Sequence, residues 1–108
     1  MGILDPLQNM DSFGYVAPKT LIGIKNITMQ MIYPDKAIDD GLMGEVQIGF
    51  KISETAEVVD FYVLKGAHPL LDKEALRCFR LLKFESPAMI NGVPKAICMK
   101  QRFNFRME

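Results

Sequence analysis

The sequence predicts an α+β domain: a three-stranded antiparallel sheet in spatial order 2-1-3, with two helices on one face. Three observations carry that expectation. Val46, Ile48, Phe50 and Ile52 alternate with Glu45, Gln47, Gly49, Lys51 and Ser53, the period-two pattern of a strand with one wet face. Ile97, Met99, Phe103, Phe105 and Met107 share one parity near the end of the chain, with Lys100, Arg102, Asn104 and Arg106 on the other. Between these segments, Leu71, Ala75, Phe79 and Leu82 recur at helical spacing, with Cys78 beside them.

The elements follow in order. Met1–Lys19 holds Gly and Pro breakers among scattered polar residues and reads as a loose arm. Thr20–Ile32 is richer in β-branched residues with blurred alternation, and reads as an extra strand or an ordered linker. The expected division is therefore an arm or linker over residues 1–32 and the domain proper over residues 33–108. Pro34 suits a first helical turn, Asp35 the positive end of the dipole, and Gly41 a left-handed stop. Ala37 and Ile38 face inward on this short helix.

Glu45–Ser53 is the first strand, the polar run Ser53–Glu57 turns the chain, and Val58–Lys65 is the second strand of a hairpin. Phe61 and Val63 are its core residues, while adjacent Val58 and Val59 leave the parity of its first half open. Gly66 and Pro69 break that strand, and a helix of about four turns runs from near Leu70 to Lys83, stopped by Ser86-Pro87. Its acids, Asp72 and Glu74, come early, and its bases, Arg77, Arg80 and Lys83, come late, complementing the dipole. Asn91-Gly92 marks a tight turn, and Lys95–Met107 is the last strand.

Each strand has one apolar face, so both helices cover the same side. A right-handed crossover from strand two lands strand three beside strand one, which makes strand three an edge. It is long, carries no interior proline, and has no partner in view. Such an edge is an aggregation hazard unless it is used, and peptide recognition by strand addition uses it.

Composition narrows the function. The 108 residues include 13 basic and 13 acidic side chains, a formal net charge of zero. Nucleic-acid binders need a basic excess, so none is expected as a partner. No run approaches the roughly 20 apolar residues that cross a bilayer, and Met1–Pro6 lacks the pattern of a signal peptide. The two cysteines, Cys78 and Cys98, form no CxxC and read as buried or half-buried free thiols, and His68 is the single histidine, so metal-ligand spacing is absent. His68 has no relay partners nearby and reads as structural. Asp39-Asp40 lacks the alternating oxygens of a calcium loop. Neither a phosphate loop nor a nucleophile elbow occurs, so no enzyme and no cofactor are expected. The eight methionines read as core filling, and Lys100, Arg102 and Arg106 as a solvated face that deters aggregation.

A series of motifs then points to a family. Tyr33-Pro34-x-x-Ala37, Gly41-x-x-Gly44-x-Val46-x-Ile48-x-Phe50 and Val63-Leu64-x-Gly66 resemble the C-terminal domain of TonB proteins. So do His68-Pro69-x-Leu71-Asp72-x-Glu74-Ala75-Leu76-Arg77, Phe84-x-x-Pro87-Ala88, Asn91-Gly92-x-Pro94 and Phe103-x-Phe105. The resemblance runs from Tyr33 to Arg106, and it is the order and spacing of the motifs together that are specific. It implies a periplasmic, non-catalytic domain that grips the TonB box of outer-membrane transporters along its last strand. An inner-membrane proton-motive complex would supply the pull, through an anchor and spacer that this sequence does not contain.

The resemblance implies that the backbone groups of Ile97, Cys98, Met99, Lys100, Gln101, Arg102, Phe103, Asn104 and Phe105 pair with the box. Gln30 holds the place of a Gln that lies close to the bound box in the family. The chain departs from the family pattern at Leu82-Lys83-Phe84, where a Trp is common, at an extra Ser86, and near Arg102, where many members carry proline. The alternative reading is a self-associating scaffold, a strand-swapped homodimer or one whose own Thr20–Ile32 segment fills the edge.

Overall fold

The computed structural model describes residues 14–107. In chain order the elements are β1 (Tyr15–Val16), β2 (Lys19–Ile22), α1 (Ile24–Thr28), α2 (Asp35–Asp39), β3 (Gly44–Ile52), β4 (Val58–Lys65), α3 (Pro69–Phe79), β5 (Lys83–Ser86), β6 (Ala88–Ile90), β7 (Val93–Lys95) and β8 (Ile97–Phe105). Residues 1–13 of the expected arm lie outside the described residues.

The central sheet has the order β4-β3-β8, antiparallel throughout, which is the order that the crossover argument requires. Alternation builds it: Val46, Ile48, Phe50 and Ile52 of β3 and Phe103 and Phe105 of β8 are buried, with Leu71, Ala75, Cys78 and Phe79 of α3 packed into the same core. Phe79 sits edge-on to Phe50 with centroids 4.9 Å apart. Ile27 of α1 is also fully buried there, so the core draws on a residue ahead of Tyr33.

Both helix boundaries near α2 and α3 have local causes. Gly41 takes φ 66°, and the Leu42 N–H reaches back to the Ala37 carbonyl at 2.8 Å, a left-handed C-terminal stop. Ala37 of α2 is buried, whereas Ile38, expected to face inward, is half exposed. His68 caps α3: its Nδ1 accepts the Leu70 N–H at 3.2 Å, and Pro69 opens the first turn without needing a partner.

The expectation that this helix runs to Lys83 needs correction. Regular α-helix ends at Phe79. The chain then tightens, with the Leu81 N–H bonding the Cys78 carbonyl at 3.0 Å and the Leu82 N–H bonding the Phe79 carbonyl at 2.9 Å. Lys83–Ser86 leaves as β5 and pairs with β2. Beyond it, β6 pairs with both β1 and β7. The stretches 15–22 and 83–90 thus lie antiparallel as one ribbon, interrupted where Pro18 and Pro87 fall. The turn expected at Asn91-Gly92 closes β6 onto β7, with both residues at positive φ, 52° and 79°. What reads as one last strand from Lys95 is therefore two, β7 ending at Lys95 and β8 starting at Ile97.

The open parity of Val58–Val59 resolves through a bulge. Gly49 faces Tyr62 and Lys51 faces Val59, so Asp60 and Phe61 together oppose Phe50. Asp60 takes φ 52° to make this fit. The extra residue lets Val58, Phe61 and Val63 all face the core side. Phe61 stays 38% exposed at the rim, although its ring lies 5.3 Å from that of Phe79.

Candidate peptide-binding edge

β8 pairs residue for residue with β3, from Ile97 opposite Ile52 to Phe105 opposite Gly44, without a bulge. Its other side meets no strand among the described residues, so the backbone groups aimed that way are open. The opposite edge, β4, differs. It carries two register shifts against β3 and the left-handed Asp60, features that twist an edge away from pairing. Of the two edges, β8 alone is long and regular.

The pleat divides the β8 side chains. Phe103 and Phe105 are buried, Ile97 and Gln101 are half-buried, and Met99 is 39% exposed. On the opposite face, Cys98, Lys100, Arg102 and Asn104 are all exposed. Arg102 reaches Glu45 at 3.8 Å, a loose surface pair. Cys98 is a free thiol, exposed where a buried or half-buried one is expected, because its parity turns it to the wet face of β8.

Tyr33 closes the far end of the strand. Its ring stands edge-on to Phe105, with centroids 5.6 Å apart, and its hydroxyl donates to the Leu42 carbonyl. The segment leading to Tyr33 is pinned from α3. Glu74 Oε2 accepts the Ile32 N–H at 2.6 Å, and both carboxylate oxygens accept from Arg77 at 2.8 Å. Arg77 Nη2 also donates to the Gln30 carbonyl at 3.0 Å. Gln30 is thus held by its backbone, with its side chain exposed. The nine β8 residues form one continuous edge, whereas Gln30 joins α3 and makes no hydrogen bond to β8.

Charge holds this pin together. The Arg77 hydrogen bonds keep the Glu74 carboxyl below the usual carboxylate range, against the opposing effect of burial. The same pairing raises the Arg77 guanidinium. Burial, with the Glu74 charge beside it, pushes the Cys78 thiol up to about 11. A thiol held protonated in this way is inert. The Glu74–Arg77 link to Gln30 and Ile32 escapes a reading of the sequence. Its one local signal is the Glu-to-Arg spacing of three on a helix.

No curated protein matches this chain. A family model described as the Gram-negative bacterial TonB protein C-terminal matches residues 29–107. The chain belongs to the TonB C-terminal family. Two solved structures share the fold of this TonB C-terminal domain. The solution structure of the Pseudomonas aeruginosa TonB C-terminal domain is 25% identical, with a TM-score of 0.55 over 71% of this chain and 78% of that one. That of the Helicobacter pylori TonB C-terminal domain is 21% identical, with a TM-score of 0.59 over 100% of this chain and 97% of that one. TonB C-terminal domains are periplasmic, non-enzymatic interaction domains of energy transducers, and the family engages outer-membrane transporters. Among the described residues, no helix is long and apolar enough to cross a membrane.

Proposed function

We propose that this domain binds the N-terminal TonB box of outer-membrane transporters as a strand added beside β8, and passes on a pull generated at the inner membrane. The observation that carries the reading is the contrast between the two sheet edges. β4 is bulged twice, whereas β8 offers nine residues in unbroken register. An extended peptide gains backbone hydrogen bonds along such an edge, and side-chain pockets at alternate positions add selectivity. The backbone of Ile97–Phe105 would make those bonds. The exposed Gln30 amide, carried on a segment that Arg77 anchors, would touch the bound peptide beside them. In the full protein, parts N-terminal to this domain would link it to an inner-membrane anchor and to the proton-motive complex.

Titration of the isotope-labelled chain with extended peptides from transporter N-termini tests this. The expected result is backbone amide shifts confined to Ile97–Phe105 and Gln30–Tyr33. If those amides stay unmoved and are already protected from exchange, the edge is occupied and the strand-swapped homodimer replaces the transporter-binding reading. The pairing of β2 with β5 supports an edge not filled by the start of the Thr20–Ile32 segment.

A further inference from the structure

A cavity of about 480 Å³ lies on the other side of the molecule from β8, between the β3–β4 turn, the end of α3 and the start of β5. That volume falls within the range of specific ligand sites, roughly 300–1,000 Å³. Three phenylalanines dominate its apolar wall. Phe61 and Phe79 sit 5.3 Å apart by centroid, and Phe84 stands beside them with Val58 and Leu82. Two cations, Arg80 and Lys83, stand in the same wall.

Arg80 is held in an unusual way. Its guanidinium lies 5.7 Å from the Phe61 ring centroid, and it makes no ion pair or side-chain hydrogen bond among the described residues. A cation–π contact of this kind holds the charge near the ring while leaving its N–H donors free for a carboxylate. The one acid in the wall, Glu57, is partly occupied by the Thr55 hydroxyl at 3.2 Å. Two left-handed residues of the β3–β4 hairpin lie in or next to the wall. Ala56, in the wall, takes φ 68°, and Asp60, next to Phe61, takes φ 52°. Side chains disfavour that conformation, and bulges of this kind aim a neighbouring side chain. Here the bulge at Asp60 turns Phe61 towards Phe79 and Arg80.

An open aromatic cavity with an unpaired guanidinium held over one of its rings selects one chemistry: an apolar ring next to negative charge. We propose that this cavity is a second peptide site, which takes an acidic segment of a partner protein presenting an aromatic side chain. The ring packs among Phe61, Phe79 and Phe84, and the adjoining carboxylates pair with Arg80 and Lys83. β3 separates the cavity from β8, so both sites can be filled at once. The site does not depend on the β8 reading.

The test is a titration of the isotope-labelled full chain with the blocked tripeptide acetyl-Phe-Asp-Glu-amide, against its neutral counterpart acetyl-Phe-Asn-Gln-amide. The acidic peptide is expected to shift the amides of Ala56, Phe61, Arg80 and Lys83 and to leave those of β8 unmoved. Arg80→Gln, on an exposed side chain, should weaken binding about tenfold, as loss of one charge-assisted hydrogen bond does. Its unchanged β8 and core amides would show that the fold is intact. Glu57→Gln should tighten binding by removing the repelling charge. Equal binding of the neutral peptide overturns the proposal, as does an absence of shifts at the cavity. Binding of 3-phenylpropionate as tight as that of the acidic peptide would overturn the peptide assignment in favour of a small-molecule site.

Discussion

Glu74 is the buried acid whose removal reports most directly on how the chain ahead of the sheet is held. Its side chain is about 10% exposed and ties together Arg77, the Ile32 N–H and the Cys78 thiol. Glu74→Gln keeps the shape but weakens the charge-assisted bonds, and it should destabilise the domain by about 1–2 kcal/mol. The lower end is expected because Arg77 remains nearly half exposed and screened by water. The sign of the pH dependence follows from the lowered carboxyl. A group whose folded pKa is depressed adds stability above its unfolded value, near 4.3, and loses it as pH falls through the folded value. Urea unfolding of the parent and of Glu74→Gln should therefore differ at pH 7 and converge as pH falls through the depressed folded value of Glu74. A difference that stays constant down to acid pH would mean that the role of Glu74 is packing alone.

At the scale of elements, the 15–22 strand of the ribbon is separable from the core. None of the residues of β1 or β2 belongs to the buried cluster, and all four β2 residues are exposed. A chain starting at Gly23 should keep the β4-β3-β8 sheet and its exchange protection, with a loss of stability smaller than the 2–5 kcal/mol expected of Leu71→Ala in the core. Collapse of β8 protection in the truncated chain would show that the ribbon is instead part of one cooperative unit. The ribbon is also where reading the sequence stops short. Alternation marks β3 and β8, and the breakers mark the β6–β7 turn, because each signal is local. Leu82 continues the helical spacing, so nothing local announces that the chain leaves α3 at Phe79. What ends the helix is the pairing of β5 with β2, some sixty residues away in the chain. Phe61 shows the same limit: its core face was legible, but the bulge at Asp60 that puts it at the rim was not. The candidate edge itself was legible because parity and the crossover rule suffice to place β8 outermost. The link from Arg77 to Gln30 was not, since it joins residues 47 apart through a backbone carbonyl that any side chain would present.

For the whole molecule, the question is what would keep so open an edge from pairing with its own copy. Net charge gives no answer, being zero, but the distribution of charge does. On the wet face of β8, Lys100 and Arg102 stand at alternate positions, opposite Gly49 and Gln47 of β3. Two copies joined antiparallel through β8, in a register centred on Gln101, would set each Lys100 against the Arg102 of the other. Centred on Lys100, the two lysines would meet. Like charges directly opposite across a pair are destabilising, and lysine on an edge is a common guard against self-pairing. Glu45 relieves this only weakly, since it lies 3.8 Å from Arg102. Lys100→Glu would turn both contacts in the Gln101-centred register from repulsive to attractive, each worth roughly 0.2–1 kcal/mol. The parent chain should therefore sediment as a monomer at low salt, with any dimer increasing as salt screens the repulsion. Lys100→Glu should dimerise more tightly, and its dimer should weaken with salt instead. A parent dimer insensitive to salt, with no change in Lys100→Glu, would place self-association away from the wet face of β8 and remove the electrostatic guard from the argument.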